Sequence, residues 1–343
     1  MSATTRLRRA ALIAGLAGAL LLTACGGSDD SEDSASGSAD SGAFPITIEH
    51  ALGTTTIEEK PTRVVTWGFG STDAALALGV VPVAIPQQTY GGDSDGVLPW
   101  IKEKLADMGE DTPTMLTNQQ GSDEVPFEEI AAADPDIILA NYSGLTQQDY
   151  DTLSDLAPTV AYPDEPWATP WREVVRTVGK ALGMESKADE VIADADEVVA
   201  KKAAEHPELK GKTIAAVWDT GDAFYVYKQA DPRVEFLTDL GLESAPSVDE
   251  LSTDESTFYY TLSFEELDKL TSDILLSYAD SEQSAQAFLD APYAQGMDQV
   301  TKGHVASMVG PEPVAAVSPP TVLSLTWGID DYLVQLSKAA KSQ

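Results

Sequence analysis

Residues 186–206 read SKADEVIADADEVVAKKAAEH. Ala188, Val191, Ile192, Ala195, Val198, Val199 and Ala203 recur at helical spacing, and acids and lysines fill the opposite face. The stretch therefore predicts one uninterrupted amphipathic helix. Ser186 is placed to cap its start, with Asp189 three residues on reaching back. His206-Pro207 ends it, since proline restricts the residue before it and brings no N–H. At 1.5 Å per residue such a helix is roughly 30 Å long, about the diameter of a small domain. With no internal glycine it should be a stiff strut.

What flanks this helix sets the architecture. Before it, residues 126–140 read PFEEIAAADPDIILA; after it, residues 263–277 read SFEELDKLTSDILLS. The two match, in order, at Phe, Glu, Glu, Asp, Ile and Leu. Each predicts a short helix opened by Phe-Glu-Glu, a turn, and a buried strand led by Asp. Any helix-turn-strand unit of a parallel sheet has that outline, but the shared Phe-Glu-Glu start favours two related lobes.

The rest of the chain follows the same grammar. Residues 44–58 alternate around Gly53 and predict a hairpin. Residues 63–67, 82–85, 136–140 and 159–162 predict strands. Between them come a helix that Ser71 caps and Gly79 ends, a loop carrying Tyr90 and Trp100, and a helix over 147–156. Thr169-Pro170 opens another helix, closed by Gly183, and the strut follows. Beyond it, 212–218 is a strand and 224–227 a further candidate. A helix over 232–240 is closed by Gly241, then 273–277 and 303–308 are strands and 320–338 a terminal helix. Strands alternating with helices predict parallel sheets covered on both faces. The expected fold class is thus α/β, two Rossmann-like lobes bridged by one long α-helix. Because one rigid helix makes the crossing, the lobes should not hinge widely.

The N-terminus is a targeting segment. Arg6, Arg8 and Arg9 precede an apolar run over residues 10–22, too short and wrongly flanked for a membrane span. It ends Leu22-Thr23-Ala24-Cys25, which resembles a bacterial lipobox and implies cleavage before Cys25 and lipidation of its sulfur. Cys25 is the only cysteine, so no disulfide within the chain is expected. Residues 26–43, GGSDDSEDSASGSADSGA, form an acidic Gly/Ser tether expected to be disordered. The chain accordingly divides into a signal peptide (1–24), a lipidated cysteine with its linker (25–43), a first lobe (44–185), the helix (186–206) and a second lobe (207–343). With 56 acidic against 21 basic residues and a net charge of −35, nucleic acid and anionic membrane surfaces are poor partners, since both need basic patches.

Several pieces then fall into one order: Pro61-Thr62-Arg63-Val64-Val65, Asp73 to Gly79 with Val80-Val81-Pro82-Val83, and Phe127-Glu128-Glu129-Ile130 with Asp134-Pro135-Asp136-Ile137-Ile138. Ala181-Leu182-Gly183-Met184-Glu185 and Pro292-Tyr293 with Gly303-His304-Val305 complete it. The layout resembles the periplasmic or lipid-anchored substrate-binding proteins of iron-siderophore and cobalamin ABC importers, of class III periplasmic-binding-protein type. The likeness runs from Pro45 to the C-terminus. It implies a monomer on the extracytoplasmic face of the cell membrane, held there only by its lipid. Such a protein captures a ferric siderophore and delivers it to an ABC permease and its ATPase. In that family one surface glutamate on each lobe docks onto permease arginines; by position these would be Glu128 and Glu265. An exposed carboxylate near a helix N-terminus is also ordinary dipole stabilisation, which explains one glutamate better than two matched copies. A haem or cobalamin carrier is the alternative within the fold. A surface lipoprotein enzyme or interaction module is the alternative of another class.

Enzyme chemistry is not legible. There is no Gly-x-Ser-x-Gly elbow, Gly68-Phe69-Gly70 lacks the third glycine of a dinucleotide loop, and no Walker loop is present. His50, His206 and His304 are scattered, so neither a protein metal site nor a cofactor is expected, the iron being held by the siderophore. Ligands of parallel α/β lobes bind beyond the carboxyl ends of strands, where the sequence puts Trp67, Phe69, Tyr90, Tyr142, Tyr162, Trp167, Trp218, Tyr278 and Met308. Any one of these can equally be core; the set predicts an aromatic-walled cleft for a large, partly apolar ligand. Anionic tricatecholate complexes would need several cleft arginines. Arg63 starts a strand and Arg172 and Arg176 lie on a helix, while Arg233 alone follows a cleft loop. The expected ligand is therefore a neutral or cationic complex of hydroxamate type, with Arg233 as a polar anchor.

Overall fold

The computed structural model describes residues 44–118, 124–253 and 256–342; the expected signal peptide, Cys25 and the linker lie outside the described residues. All described residues belong to one unit, Asp40–Gln343. Alternating side chains form the leading hairpin, β1 (Ile46–His50) and β2 (Gly53–Ile57), with Ile46 opposite Ile57. Five short runs then build the first sheet: β3 (Val64–Thr66), β4 (Ala84–Pro86), β5 (Thr114–Leu116), β6 (Ile137–Leu139) and β7 (Thr159–Val160). They run parallel in the order β5-β4-β3-β6-β7. Val64, Val65, Ile137 and Ile138 are all buried, without alternation, as expected of strands covered on both faces.

The second sheet is built from β8 (Thr213–Asp219), β9 (Phe224–Tyr227), β10 (Glu243–Ser244), β11 (Tyr259–Leu262), β12 (Ile274–Ala279) and β13 (Val305–Val309). Its order is β11-β9-β8-β12-β13, with β10 also on β8. The expectation of a parallel sheet holds for β10, β8, β12 and β13, whereas β9 runs antiparallel to both of its neighbours, β8 and β11. The cause is local. Thr220 N–H bonds Ala223 O at 3.0 Å, and a turn that short can only fold a strand straight back.

The two lobes repeat one clasp. Asp136, ahead of β6, accepts from the N–H and hydroxyl of Thr62 at 2.7 and 2.8 Å. Asp273, ahead of β12, accepts from the same groups of Thr213 at 2.9 and 3.1 Å. Each ties the start of a central strand to its parallel neighbour. Phe-Glu-Glu opens an α-helix in the first copy (Phe127–Ala132) and a 3-10 helix in the second (Phe264–Lys269).

The bridging helix runs Glu185–Ala204, beginning one residue before and ending two before the expected 186–206. Ser186 lies inside its first turn, and Met184 precedes it without a side-chain cap. The reason is a tight junction: Gly183, at φ 65°, reverses the chain after helix Trp171–Ala181, and Met184 N–H closes onto Gly179 O at 2.7 Å. Ala188, Ile192, Ala195 and Val199 are buried; Val191 and Ala203 are half-buried, and Val198 is exposed. A Cβ on Gly179 would stand 2.4 Å from that of Ala188, so the two helices meet where glycine faces alanine. The other flank packs on the C-terminal helix Ser324–Lys341. One apolar core thus runs from Val64 and Ile137 through Ile192 to Ile214 and Leu333. Arg172 adds polar ties, reaching Asp196 on the bridging helix at 2.6 Å and Asp239 of the second lobe at 2.9 Å.

Trp100, expected in a loop, lies in helix Pro99–Met108, whose proline occupies the first turn, where a missing N–H costs nothing. Ser71 does not cap its helix; Gly70 precedes it at φ 72°, and the Ser71 hydroxyl accepts from Asn141 N–H at 3.3 Å. The terminal helix begins at Ser324, not near 320. Thr321 N–H bonds Ser324 Oγ at 2.9 Å and Ser324 N–H bonds Thr321 Oγ1 at 3.1 Å, a side-chain turn that holds residues 318–321 against the first lobe.

Candidate functional site

The strand order of the first sheet reverses between β3 and β6, so the segments leaving their carboxyl ends diverge and open a crevice. Trp67 N–H to Leu139 O and Phe69 N–H to Tyr142 O, both 2.9 Å, fix those segments. Phe69, Tyr142 and Trp167 form a triangle of edge-on rings with every centroid pair 6.0 Å apart. Trp167 holds a left-handed backbone, φ 60°, rare for an aromatic residue. Its indole lies against Gly144, where a Cβ would stand 2.6 Å from the ring. From the second lobe, Trp218, Tyr278 and Tyr227 step in a row at 5.9 and 6.0 Å. Tyr90 joins the two sides: its ring is 6.4 Å from Trp218, and its hydroxyl donates to Asp280 at 2.9 Å.

At this seam lies a cavity of about 260 Å³, close to the roughly 300 Å³ lower end of ordinary ligand pockets. Trp67, Phe69, Tyr90 and Trp167 line it as the sequence leads one to expect; Trp100, Thr72, Asp73, Gln88 and Asn118 join them, and the second lobe adds Ala315, Ser318, Pro319 and Thr321. Other expected ligand-facing residues sit elsewhere. Tyr142, Tyr278 and Met308 are only 5%, 1% and 3% exposed. Tyr278 stands in a strand buried at all six positions, and Met308 packs into the core beneath the terminal helix. Tyr162 is buried too. Trp218 is half-buried and meets the cavity wall through Tyr90. Arg233 stands behind Ser318, donating to its hydroxyl at 2.8 Å.

The electrostatics follow from burial. Arg233 bonds Asp231 at 2.9 Å and lies 4.1 Å over the Tyr227 ring, so its charge is already matched. Burial pushes the Asp231 carboxyl up, and Arg233 pulls it back. Asp73 has no such cation. Trp100 Nε1 and Thr321 Oγ1 donate to its Oδ1 at 2.8 and 2.5 Å, while burial outweighs both bonds and raises its pKa to about 6. Burial and Asp280 likewise push the Tyr90 phenol up. None of the three histidines lines the cavity; His50 is buried against Thr55 at 2.9 Å. Sequence reasoning passed over Asp73 as a site residue. Its signal was a carboxylate within the short apolar run STDAALAL.

The outer surface carries a second matched feature. Glu129 accepts from Thr117 N–H and hydroxyl at 2.7 and 2.8 Å, and Glu266 pairs with Lys269 at 2.7 Å. The first glutamates of the two motifs, Glu128 and Glu265, are exposed and make no side-chain bond among the described residues.

An aromatic cavity at the seam of two α/β lobes joined by a long helix is the architecture of a solute-binding protein. Residues 64–310 match the family described as Periplasmic binding protein, and the chain belongs to that family. It is 37% identical to PiaA of Streptococcus pneumoniae TIGR4, solved in complex with ferrichrome, over 87% of this chain and 100% of that one, with a TM-score of 0.80. It is 29% identical over 272 residues to the probable siderophore-binding lipoprotein YfiY of Bacillus subtilis (strain 168), covering 78% of each chain. Staphylococcus aureus SirA, solved with staphyloferrin B, matches at 25% identity and a TM-score of 0.66 over 84% of this chain and 98% of that one.

Proposed function

We propose that this chain is the extracytoplasmic binding protein of an ABC importer, anchored through a lipid on Cys25, that captures a ferric siderophore and hands it to a permease without chemical change. The observation that carries the reading is the aromatic cavity at the lobe seam, in a chain 37% identical to the protein solved with ferrichrome. Trp67, Phe69, Tyr90 and Trp167 are its ligand wall, with Trp218 and Arg233 behind it. The ligand is of hydroxamate type, neutral or positive, because among the described residues the wall holds no lysine, arginine or histidine and Arg233 is matched by Asp231. The siderophore supplies the iron ligands, and the protein needs no cofactor and acts as a monomer.

Glu128 and Glu265 are the permease contacts, one on each lobe, left free while their neighbours are engaged. The double variant Glu128→Lys/Glu265→Lys is expected to bind ligand normally and to lose uptake of labelled siderophore; undiminished uptake would refute the docking role. The ligand class is tested by mixing the protein with a ferric trihydroxamate, a ferric tricatecholate, haem and cobalamin, then removing free ligand by gel filtration. The trihydroxamate should co-elute. Retention of haem or cobalamin alone, or of nothing, would overturn the reading.

A further inference from the structure

Asp73 stands out in the cavity wall. It is 3% exposed, and no lysine, arginine or histidine shares the lining among the described residues. Both side-chain donors that reach it, Trp100 Nε1 and Thr321 Oγ1, bond the same oxygen, Oδ1, and its own backbone N–H also supports the carboxylate. No side chain donates to Oδ2 among the described residues. The neighbouring Thr72 hydroxyl is engaged with Thr66 at 2.7 Å. The Arg233 guanidinium lies behind Ser318 and is bonded to Asp231. A carboxylate is a costly choice for a buried tie between lobes, since an amide or hydroxyl would accept the same two bonds without a charge to desolvate. The remaining use of that charge lies on the cavity side. The lining residue Tyr90 bonds a further carboxylate, that of the exposed Asp280.

We propose that Asp73 is the charge-selecting residue of the cavity, receiving an ammonium group of the bound complex and disfavouring complexes of net negative charge. This rests on the siderophore-binding reading and specifies it: the preferred ligand carries a protonated amine on the flank that enters beside Trp100 and Thr321. Asp73 then has two tasks, Oδ1 fixing the residue across the lobe seam and Oδ2 meeting the ligand.

The test uses a matched pair of ferric trihydroxamates, one bearing a free amine and one its N-acetyl derivative, with a ferric tricatecholate as the anionic probe. The wild-type protein should bind the amine form about tenfold more tightly than the acetylated form, the scale of one hydrogen bond to a charged partner. Asp73→Asn keeps an oxygen for Trp100 and Thr321 but removes the charge. It should erase that preference and gain affinity for the tricatecholate. If Asp73→Asn does not fold, the wild-type comparison still decides, and equal affinity for the two trihydroxamates overturns the proposal. A parallel loss for all three probes in a folded Asp73→Asn also overturns it, leaving only the seam role. Binding of no probe by the wild type would instead refute the siderophore reading beneath it.

Discussion

Trp167 owes its position to a residue that contributes no side chain. Its indole occupies the space a Cβ on Gly144 would fill, 2.6 Å from the ring. Gly144→Ala is therefore expected to displace the indole and weaken ligand binding about tenfold, the value of one well-placed aromatic contact. Fluorescence titration checks this, and unchanged affinity would contradict it. Asp73 makes a different prediction, through pH. Its pKa is raised by burial to about 6 from 3.8, so the folded state holds this proton where the unfolded chain has released it. Its contribution to stability is full below about pH 3.8 and is lost as pH rises through about 6, by at most about 3 kcal/mol. Urea melts of wild type and Asp73→Asn should thus differ in the variant's favour by more at pH 7.5 than at pH 4. A pH-independent difference would count against a buried, titrating carboxylate.

The bridging helix was the most legible element, because seven apolar residues at helical spacing leave one solution for a long, uninterrupted stretch. Its start was misplaced for a physical reason: Gly179 and Gly183 set a reversal whose geometry no capping pattern reveals. Gly179→Ala should push that helix off its partner at the 2.4 Å contact with Ala188. Overpacking of this kind costs roughly 1–3 kcal/mol, read as a lower urea midpoint at constant slope. An unaltered midpoint would show that the junction yields freely. Short strands led by Asp were equally legible, and the Thr62 and Thr213 clasps give those aspartates a shared purpose. The antiparallel β9 was not, since its direction depends on the turn over residues 220–223 and not on apolar pattern. The same limit applied to the site. An aromatic at a strand end reads alike whether it faces the cleft, as Trp67 does, or the core, as Tyr278 does.

At the scale of the whole molecule, one core crosses both lobes, and polar ties brace the seam on several sides. Arg172 reaches Asp239, Asp73 accepts from Thr321, Tyr90 bonds Asp280, and Trp327 Nε1 donates to Glu103 at 3.1 Å. The two lobes are accordingly expected to unfold in a single transition by heat or urea; two resolved transitions would contradict a shared core. The central claim is that this seam binds a ferric hydroxamate, and intrinsic fluorescence addresses it directly, because Trp67, Trp100 and Trp167 all line the cavity. Titration of the purified protein with ferric trihydroxamate, ferric tricatecholate, haem and cobalamin in parallel should give saturable, sub-micromolar quenching by the trihydroxamate. Equal or tighter quenching by the tricatecholate would contradict the charge argument, and no saturable response to any of the four would contradict the claim itself.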